Sequence, residues 1–322
     1  MTILSEPTWE RVTSQPSPRA EPWKLTGPLL VATDGTETVD AAMQTAEAIA
    51  LEHGLTVHVL SVLEPLASFY PMADGLMVTL PPAIGDDARL QARRAEVRER
   101  VAKAVRDSEA WRIDVRVGPI AHTIADVANT LKPSLIVLGL GRHRPIDRLM
   151  GDEVAPEVVR LVQVPVLAVP RDAKAPLRRA VVAIDFSRAS VRAARVATAI
   201  VSPPAQLWLT HVRVPVDLIT EAHEGESIIY TQGVLGGFSK IRERLAPANG
   251  AEVHPVVLQG KPHEELLTFA AVNRADLIVA GAHGHTLMER LLLGRVTTKL
   301  LRGARCAVLV IPRSRDDKRR GT

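Results

Sequence analysis

Aromatic residues are scarce in this chain: four Trp, two Tyr and four Phe among 322 residues, or 3%. A core built almost without them must be filled by Val, Leu, Ile and Ala, which suits parallel strands buried on both faces under Ala-rich helices. Cysteine is scarcer still. The single Cys306 excludes an intrachain disulfide and a cysteine-rich zinc site. Its place before Ala307-Val308-Leu309-Val310-Ile311 reads as that of a small buried residue. No apolar run reaches the ~18 residues of a membrane span. Met1–Lys24 has no apolar centre of signal-peptide length, so a cytoplasmic protein without a membrane partner is expected. A large charge excess is also missing: 40 Lys+Arg against 36 Asp+Glu leave a net charge of +4, too little over this length to name a partner. The basic tail of Arg313, Arg315, Lys318, Arg319 and Arg320 is interrupted by Asp316 and Asp317 and has no aromatics for base stacking. It reads as a solvated terminus, which argues against nucleic acid.

Several catalytic and cofactor signatures are absent too. There is no G-x-x-x-x-G-K-[ST] segment, and Gly139-Leu140-Gly141-Arg142-His143-Arg144 lacks the third glycine of a dinucleotide fingerprint and follows a late strand. These absences disfavour a Walker ATPase and a Rossmann dehydrogenase. His283 and His285 stand at i and i+2 without a nearby Cys or carboxylate ligand, so no metal is assigned. The scattered Ser, His and Asp residues single out no triad, and no catalytic residue is assigned.

What is present is a repeat. The length exceeds one usual domain of ~100–150 residues. A buried strand is expected at Leu29–Thr33, then a helix from about Thr38 that stops at Gly54, a strand over Thr56–Leu63, and a Pro- and Gly-containing loop to about Asp86. A charged helix over Ala88–Ala110 presents Leu90, Val97, Val101 and Val105 as its apolar stripe, its Arg/Glu face being solvated. Strands near Arg112–Val117, Leu135–Leu140 and Pro165–Val169 then alternate with helices near Ile120–Leu131 and Glu153–Val162. The same grammar restarts at Arg179-Ala180-Val181-Val182-Ala183-Ile184-Asp185. Gly118 with Leu135–Gly139 recurs 142 residues later as Gly260 with Leu277–Gly281, and Val164–Pro170 recurs at that offset as Cys306–Pro312. Two separated landmarks with one offset point to a duplication. The expected organisation is a flexible tail over 1–26, a first domain over 27–172, a second over 177–313 and a tail over 314–322. Each copy alternates strands with helices long enough for right-handed parallel crossovers, so two tandem doubly wound α/β domains are expected. Strand orders 2-1-3-4-5 and 3-2-1-4-5 both remain open, and either puts a ligand crevice at the carboxyl ends of the strands.

The most informative segment runs from Gly281 through Gly284 to Gly294-Arg295-Val296-Thr297, a G-x2-G-x9-G pattern between a strand and a helix. Glycines let backbone approach a ligand, and the amides at the following helix N-terminus favour an anion such as phosphate. A plain strand-to-helix loop, with a positive-φ turn at Gly294, fits the spacing as well. In the first copy the corresponding glycines are Gly139, Gly141 and Gly151, followed by Asp152 and Glu153. Those two acids suit a helix start but repel phosphate, so the first site ranks below the second. Arg142, Arg144 and Arg148 stand in that loop as an offset, or as solvated residues.

With Asp185 ending a first strand, the triple-glycine loop after the fourth and a closing apolar strand, each copy resembles a universal stress protein domain. The resemblance runs from about Leu29 to Pro312. It implies a flavodoxin-like, adenine nucleotide α-hydrolase-like fold and a stress-response protein that binds ATP or another adenine nucleotide and acts as a regulator. The implied contacts are Asp185, Val212 beside the base, Gly281, Gly284, Gly294, Val296 and Thr297, with Asp34, Gly139, Gly141 and Gly151 their degenerate counterparts. Nucleotide-binding members carry Ser or Thr after the last glycine; here Arg295 and Asp152 stand there, and Arg295 either contacts phosphate or fills the pocket. A nucleotide-free interaction scaffold is the alternative, and a slow nucleotide hydrolase a third. The resemblance also implies pairing of the two copies as an intramolecular pseudo-dimer through their final apolar strands, or a homo-oligomer.

Overall fold

Strand formation follows the Val/Leu/Ile/Ala runs. In the computed structural model, which describes residues 23–65, 68–71, 77–80, 86–140, 154–214, 223–245, 250–282 and 293–312, the chain divides into two units, Thr26–Ala175 and Pro176–Thr322, Trp23–Leu25 belonging with the latter. The first holds β1 (Leu29–Thr33), α1 (Asp40–His53), β2 (Val57–Leu63), β3 (Ser68–Pro71), β4 (Met77–Leu80), α2 (Asp86–Ala104), β5 (Arg112–Val117), α3 (Ile120–Leu131), β6 (Leu135–Leu140), α4 (Val154–Leu161) and β7 (Val166–Pro170). The second holds β8 (Arg179–Ala183), α5 (Arg188–Ile200), β9 (Gln206–Arg213), α6 (His223–Leu245), β10 (Glu252–Gln259), α7 (Pro262–Val272), β11 (Leu277–Gly281), α8 (Arg295–Gly303) and β12 (Ala307–Ile311).

Within the first unit the strands lie β7-β6-β1-β2-β5, all parallel, with Val31 opposite both Val59 and Val137. Within the second they lie β10-β9-β8-β11-β12, again all parallel, with Val182 opposite Leu209 and Val279. Numbered within its own copy, each sheet has the order 3-2-1-4-5, which decides between the two orders the sequence leaves open. The winding reverses between the first and fourth strands, β1/β6 and β8/β11, so the crevice opens beyond their carboxyl ends. Helices pack in pairs, α1 on α2, α3 on α4, α5 on α6 and α7 on α8. The central strands β1 and β8 have no exposed residue, as strands sandwiched between two helix layers require.

Helix ends show where local signals suffice and where they do not. Gly54 closes α1 in the left-handed conformation at φ 64°, its N–H donating to Ala50 O, where glycine meets no steric penalty. Lys132 and Arg274, equivalent positions 142 residues apart, end α3 and α7 at φ 50° without a glycine signal. Two expectations need correction. The connection read as a loop contains the antiparallel hairpin β3/β4, Ser68 opposite Leu80 and Pro71 opposite Met77, where Phe69, Tyr70, Val78 and Thr79 favour strands on either side of Ala73-Asp74-Gly75. Cys306 is half-buried rather than fully buried. Burial and the nearby Asp276 carboxylate push its thiol up to about 12, so it is a poor nucleophile.

Candidate functional site

In the second copy, Asp185 lies just beyond β8 and Gly281 ends the neighbouring β11, so the pairing of these strands brings the two together at the crevice. The Asp185 carboxylate is turned inward on its own loop, its Oδ1 accepting from Ser187 N at 3.0 Å. Ser187 caps α5, accepting from Ser190 N at 3.2 Å. Val212 occupies the penultimate position of β9, opposite Leu258, and is half-buried.

The far side of the crevice is the start of α8. Gly294 is its N-cap and offers no side-chain hydrogen bond to the first turn. The loop is drawn closed by Gly294 N donating to Ala282 O at 2.8 Å and by the buried Thr297 hydroxyl donating to Gly281 O at 2.8 Å. Arg295 is exposed, Val296 half-buried, and the first turn carries no acid. Backbone amides at a helix start without a capping side chain favour an anion by ~0.3–1 kcal/mol, and up to ~2 kcal/mol when partly buried. Gly294 has φ −56° and ψ 142°, open to any residue, so the expected positive-φ turn is not there. Gly284, His283 and His285 lie outside the described residues.

The first copy repeats the scaffold with different fittings. Asp34 Oδ1 accepts from both Thr36 N (2.9 Å) and the Thr36 hydroxyl (2.7 Å), the same inward turn as at Asp185. Gly139, on β6 opposite Val169, is pressed by Val39: a Cβ there would lie 3.0 Å from the Val39 methyls. Gly141, Gly151, Asp152 and Glu153 lie outside the described residues, as do Arg142, Arg144 and Arg148. Both copies place a histidine near a glutamate, His263 lying 3.7 Å from Glu264 on its own helix. His122 on α3 stands 3.7 Å from Glu157 on α4, whereas His263 on α7 accepts from Lys299 on α8 at 3.2 Å. The helix after the second copy's glycine loop is the more basic, with Arg295, Lys299 and Arg302 and no acid.

Sequence reasoning missed two features. In the second copy Phe186, held at φ 61°, packs its ring 5.0 Å from His211 of β9 and 5.4 Å from Phe238 of α6, and His211 Nδ1 donates to Ile184 O at 2.8 Å. A Phe directly after the strand-ending Asp, in a chain with so few aromatics, was the available signal. In the first copy the Arg93 guanidinium of α2 donates to Asp34 O, a contact spanning 59 residues for which the sequence gives no sign. The Ser61 hydroxyl is buried at the register of Thr33, and no group among the described residues bonds it.

Residues 26–170 and 176–312 each match the universal stress protein family. The chain belongs to that family. It is a tandem two-domain member, with one universal stress protein domain per unit. Universal stress protein MJ0531 of Methanocaldococcus jannaschii is 37% identical over 75 residues, 23% of this chain and 44% of the relative. Universal stress protein MJ0577 of the same organism is 36% identical over 64 residues, 20% of this chain and 40% of the relative. The matched stretches therefore span under half the length of these two relatives. A universal stress protein of Thermus aquaticus is 33% identical over 132 residues, 40% of this chain and 94% of its own length. Among solved structures, a universal stress protein from Archaeoglobus fulgidus superposes with a TM-score of 0.60 at 21% identity, covering 90% of this chain and 97% of that one, a likeness of fold. No helix among the described residues is long and apolar enough to cross a membrane, and no cluster of His, Cys, Asp or Glu among them could hold a metal.

Proposed function

We propose that the second universal stress protein domain binds an adenine nucleotide of ATP type, and that the bound nucleotide regulates the protein in a cytoplasmic stress response rather than being turned over. The observation that carries this reading is the start of α8. Gly294 leaves the first-turn amides without a capping side chain, at the carboxyl end of β11 and beside a first turn free of acids. Phosphate would lie against the amides of Arg295, Val296 and Thr297. The Thr297 hydroxyl is committed to Gly281 O, which leaves its amide for the ligand. Arg295, exposed at the first helical position, supplies a guanidinium for a charge-assisted contact with phosphate. Asp185 and Val212 border the nucleoside end. The first domain is the weaker binder, because Asp152 and Glu153 follow its glycine loop.

The test is mass spectrometry of the gently purified full chain after denaturation, followed by calorimetric titration with ATP and with GTP. A co-purified adenine nucleotide, or saturable ATP binding with weaker GTP binding, supports the proposal. Absence of both overturns it in favour of a nucleotide-free interaction scaffold.

A further inference from the structure

We infer that Arg93 is a built-in occupant of the first copy's crevice, and that it determines which ligands that copy admits. The inference rests on the reading that the crevice at the strand ends is where a nucleoside sits. Arg93 projects from α2, and its Nη1 donates to the carbonyl of Asp34, the first residue beyond β1. A Cβ on Gly35 would lie 2.9 Å from that same Nη1, so the guanidinium rests directly on the Asp34–Gly35 backbone, whose φ of 79° at Gly35 itself favours glycine. It is held there on two further sides: the stem packs with Val97 over Gly35, and Nη1 pairs with Glu96 Oε2 at 3.4 Å. One turn earlier Arg89 donates to Glu64 O, just past the end of β2, at 3.5 Å. Two arginines of one helix are thereby laid across the carboxyl ends of β1 and β2.

The second copy has a different arrangement. Its residue after the aspartate is Phe186, and the helix facing it offers Gly237, whose absent Cβ would lie 2.7 Å from the Phe186 ring. The ring turns toward the helix. A guanidinium N–H on a strand-end carbonyl is the kind of donor contact that an exocyclic amine or a ribose hydroxyl would make. Arg93 thus takes both the volume and the acceptor that a nucleoside would need in the first copy. It excludes by bulk as well as by hydrogen bonding: a ligand enters only if it displaces the ion-paired Arg93 side chain.

The test counts sites for adenosine, which lacks phosphate and so is blind to Asp152 and Glu153. The full-length parent, Arg93→Ala and Arg93→Met are titrated calorimetrically, and the site is located by photo-crosslinking with 8-azidoadenosine and peptide mapping. Arg93→Ala should add one adenosine site to whatever number the parent shows, crosslinked within residues 27–65. Arg93→Met, which keeps most of the bulk, should leave the first copy at least tenfold weaker than Arg93→Ala does. α2 stays anchored in both variants by Arg100, whose Nε and Nη2 each meet the Asp40 carboxylate at 2.6 Å, and circular dichroism checks this. An unchanged site count in Arg93→Ala overturns the inference, as does equal gain by Ala and Met, which would mean mere loosening of α2. The parent's own titration reports separately on the second copy, so failure of the proposed function is distinguishable from failure of this inference.

Discussion

After the first strand of each copy, opposite kinds of residue follow the same aspartate. Gly35 follows Asp34 and leaves its space to an arginine from the covering helix; Phe186 follows Asp185 and fills space left by a glycine on its covering helix. In each copy one side of this contact is a glycine and the bulk comes from the other side. One copy ends with a cation over the strand ends and the other with an aromatic cluster. A duplicated fold can thus keep its strand order and still present two chemically different crevices, because a glycine on one side of a contact admits bulk from the other.

The largest effect that would break this comparison is removal of the Phe186 ring. It is 6% exposed and touches two other rings, so Phe186→Ala should lower stability by about 3 kcal/mol, read by urea denaturation. Phe186→Gly, which installs the first copy's residue, should lose roughly 0.5–1 kcal/mol less than Ala, because φ 61° penalises every side chain and glycine escapes that penalty. If Ala proves the less damaging, the left-handed backbone at this position is not real strain.

Ligand binding sharpens the contrast next. Gly294→Val in the full chain should weaken ATP binding at least tenfold, about 1.4 kcal/mol, by placing bulk at the N-cap, while Gly151→Val should leave it unchanged. With φ −56° the substitution adds no left-handed strain, so a loss of affinity is expected without a matching loss of melting temperature. Equal effects at both glycines would contradict the ranking of the two copies.

A third contrast lies at the opposite end of the sheets. Ser134 and Asp276, 142 residues apart, each tie the start of the fourth strand to the start of the first. The Ser134 hydroxyl donates to Gly27 O at 2.9 Å, and Asp276 Oδ1 accepts from the amides of Arg178 (3.0 Å) and Arg179 (2.8 Å). Only Asp276 titrates. Burial pushes its carboxyl above 3.8 against the pull of those amides and of the Arg179 charge, so the folded chain binds this proton more tightly than the unfolded one. Its penalty is present in full above the folded pKa and disappears as pH falls toward 3.8. Relative to Asp276→Asn, which keeps an acceptor and removes the titration, the parent should gain stability between pH 7 and pH 4. A relative loss over that interval would mean that the ionised form is the favoured one.

The smallest effect distinguishes the equivalent positions on the second strands. Ser61 pairs with Thr33, while His211, one residue beyond Thr210 and its partner Ala183, bonds Ile184 O. His211→Ala leaves that carbonyl without its donor and should destabilise by about 1–2 kcal/mol. Ser61→Ala should be neutral or stabilising by up to ~1 kcal/mol, because the hydroxyl it removes is buried and without a partner among the described residues. Thermal melts of the two variants compare the positions directly; a destabilised Ser61→Ala would reveal a bond to this hydroxyl.

Much of this was legible in the chain itself. Buried parallel strands announce themselves as short apolar runs, and a duplication is visible because both copies keep Gly118/Gly260, Gly139/Gly281 and the final apolar strand at one spacing. The strand-ending aspartates were legible for the same reason: a lone acid at the end of an apolar run is a local signal. Gly54 ending α1 was another. Lys132 and Arg274 were not, since nothing in a lysine or arginine marks a left-handed helix end, and tertiary packing overrides their preference.

The amino-acid sequence by itself determined the class of fold, the duplication and, the β3/β4 hairpin apart, the order of strands and helices, because each depends on periodicity within a few residues of the chain. Only the tertiary structure decided the 3-2-1-4-5 strand order of both sheets, which depends on the pairing of strands more than 100 residues apart, such as β1 with β6. It alone set Arg93 on Asp34 across 59 residues and gathered Phe186, His211 and Phe238 into one cluster from a loop, a strand and a helix. Those contacts rest on packing between elements, and packing depends on which volumes meet in space, which local pattern does not encode.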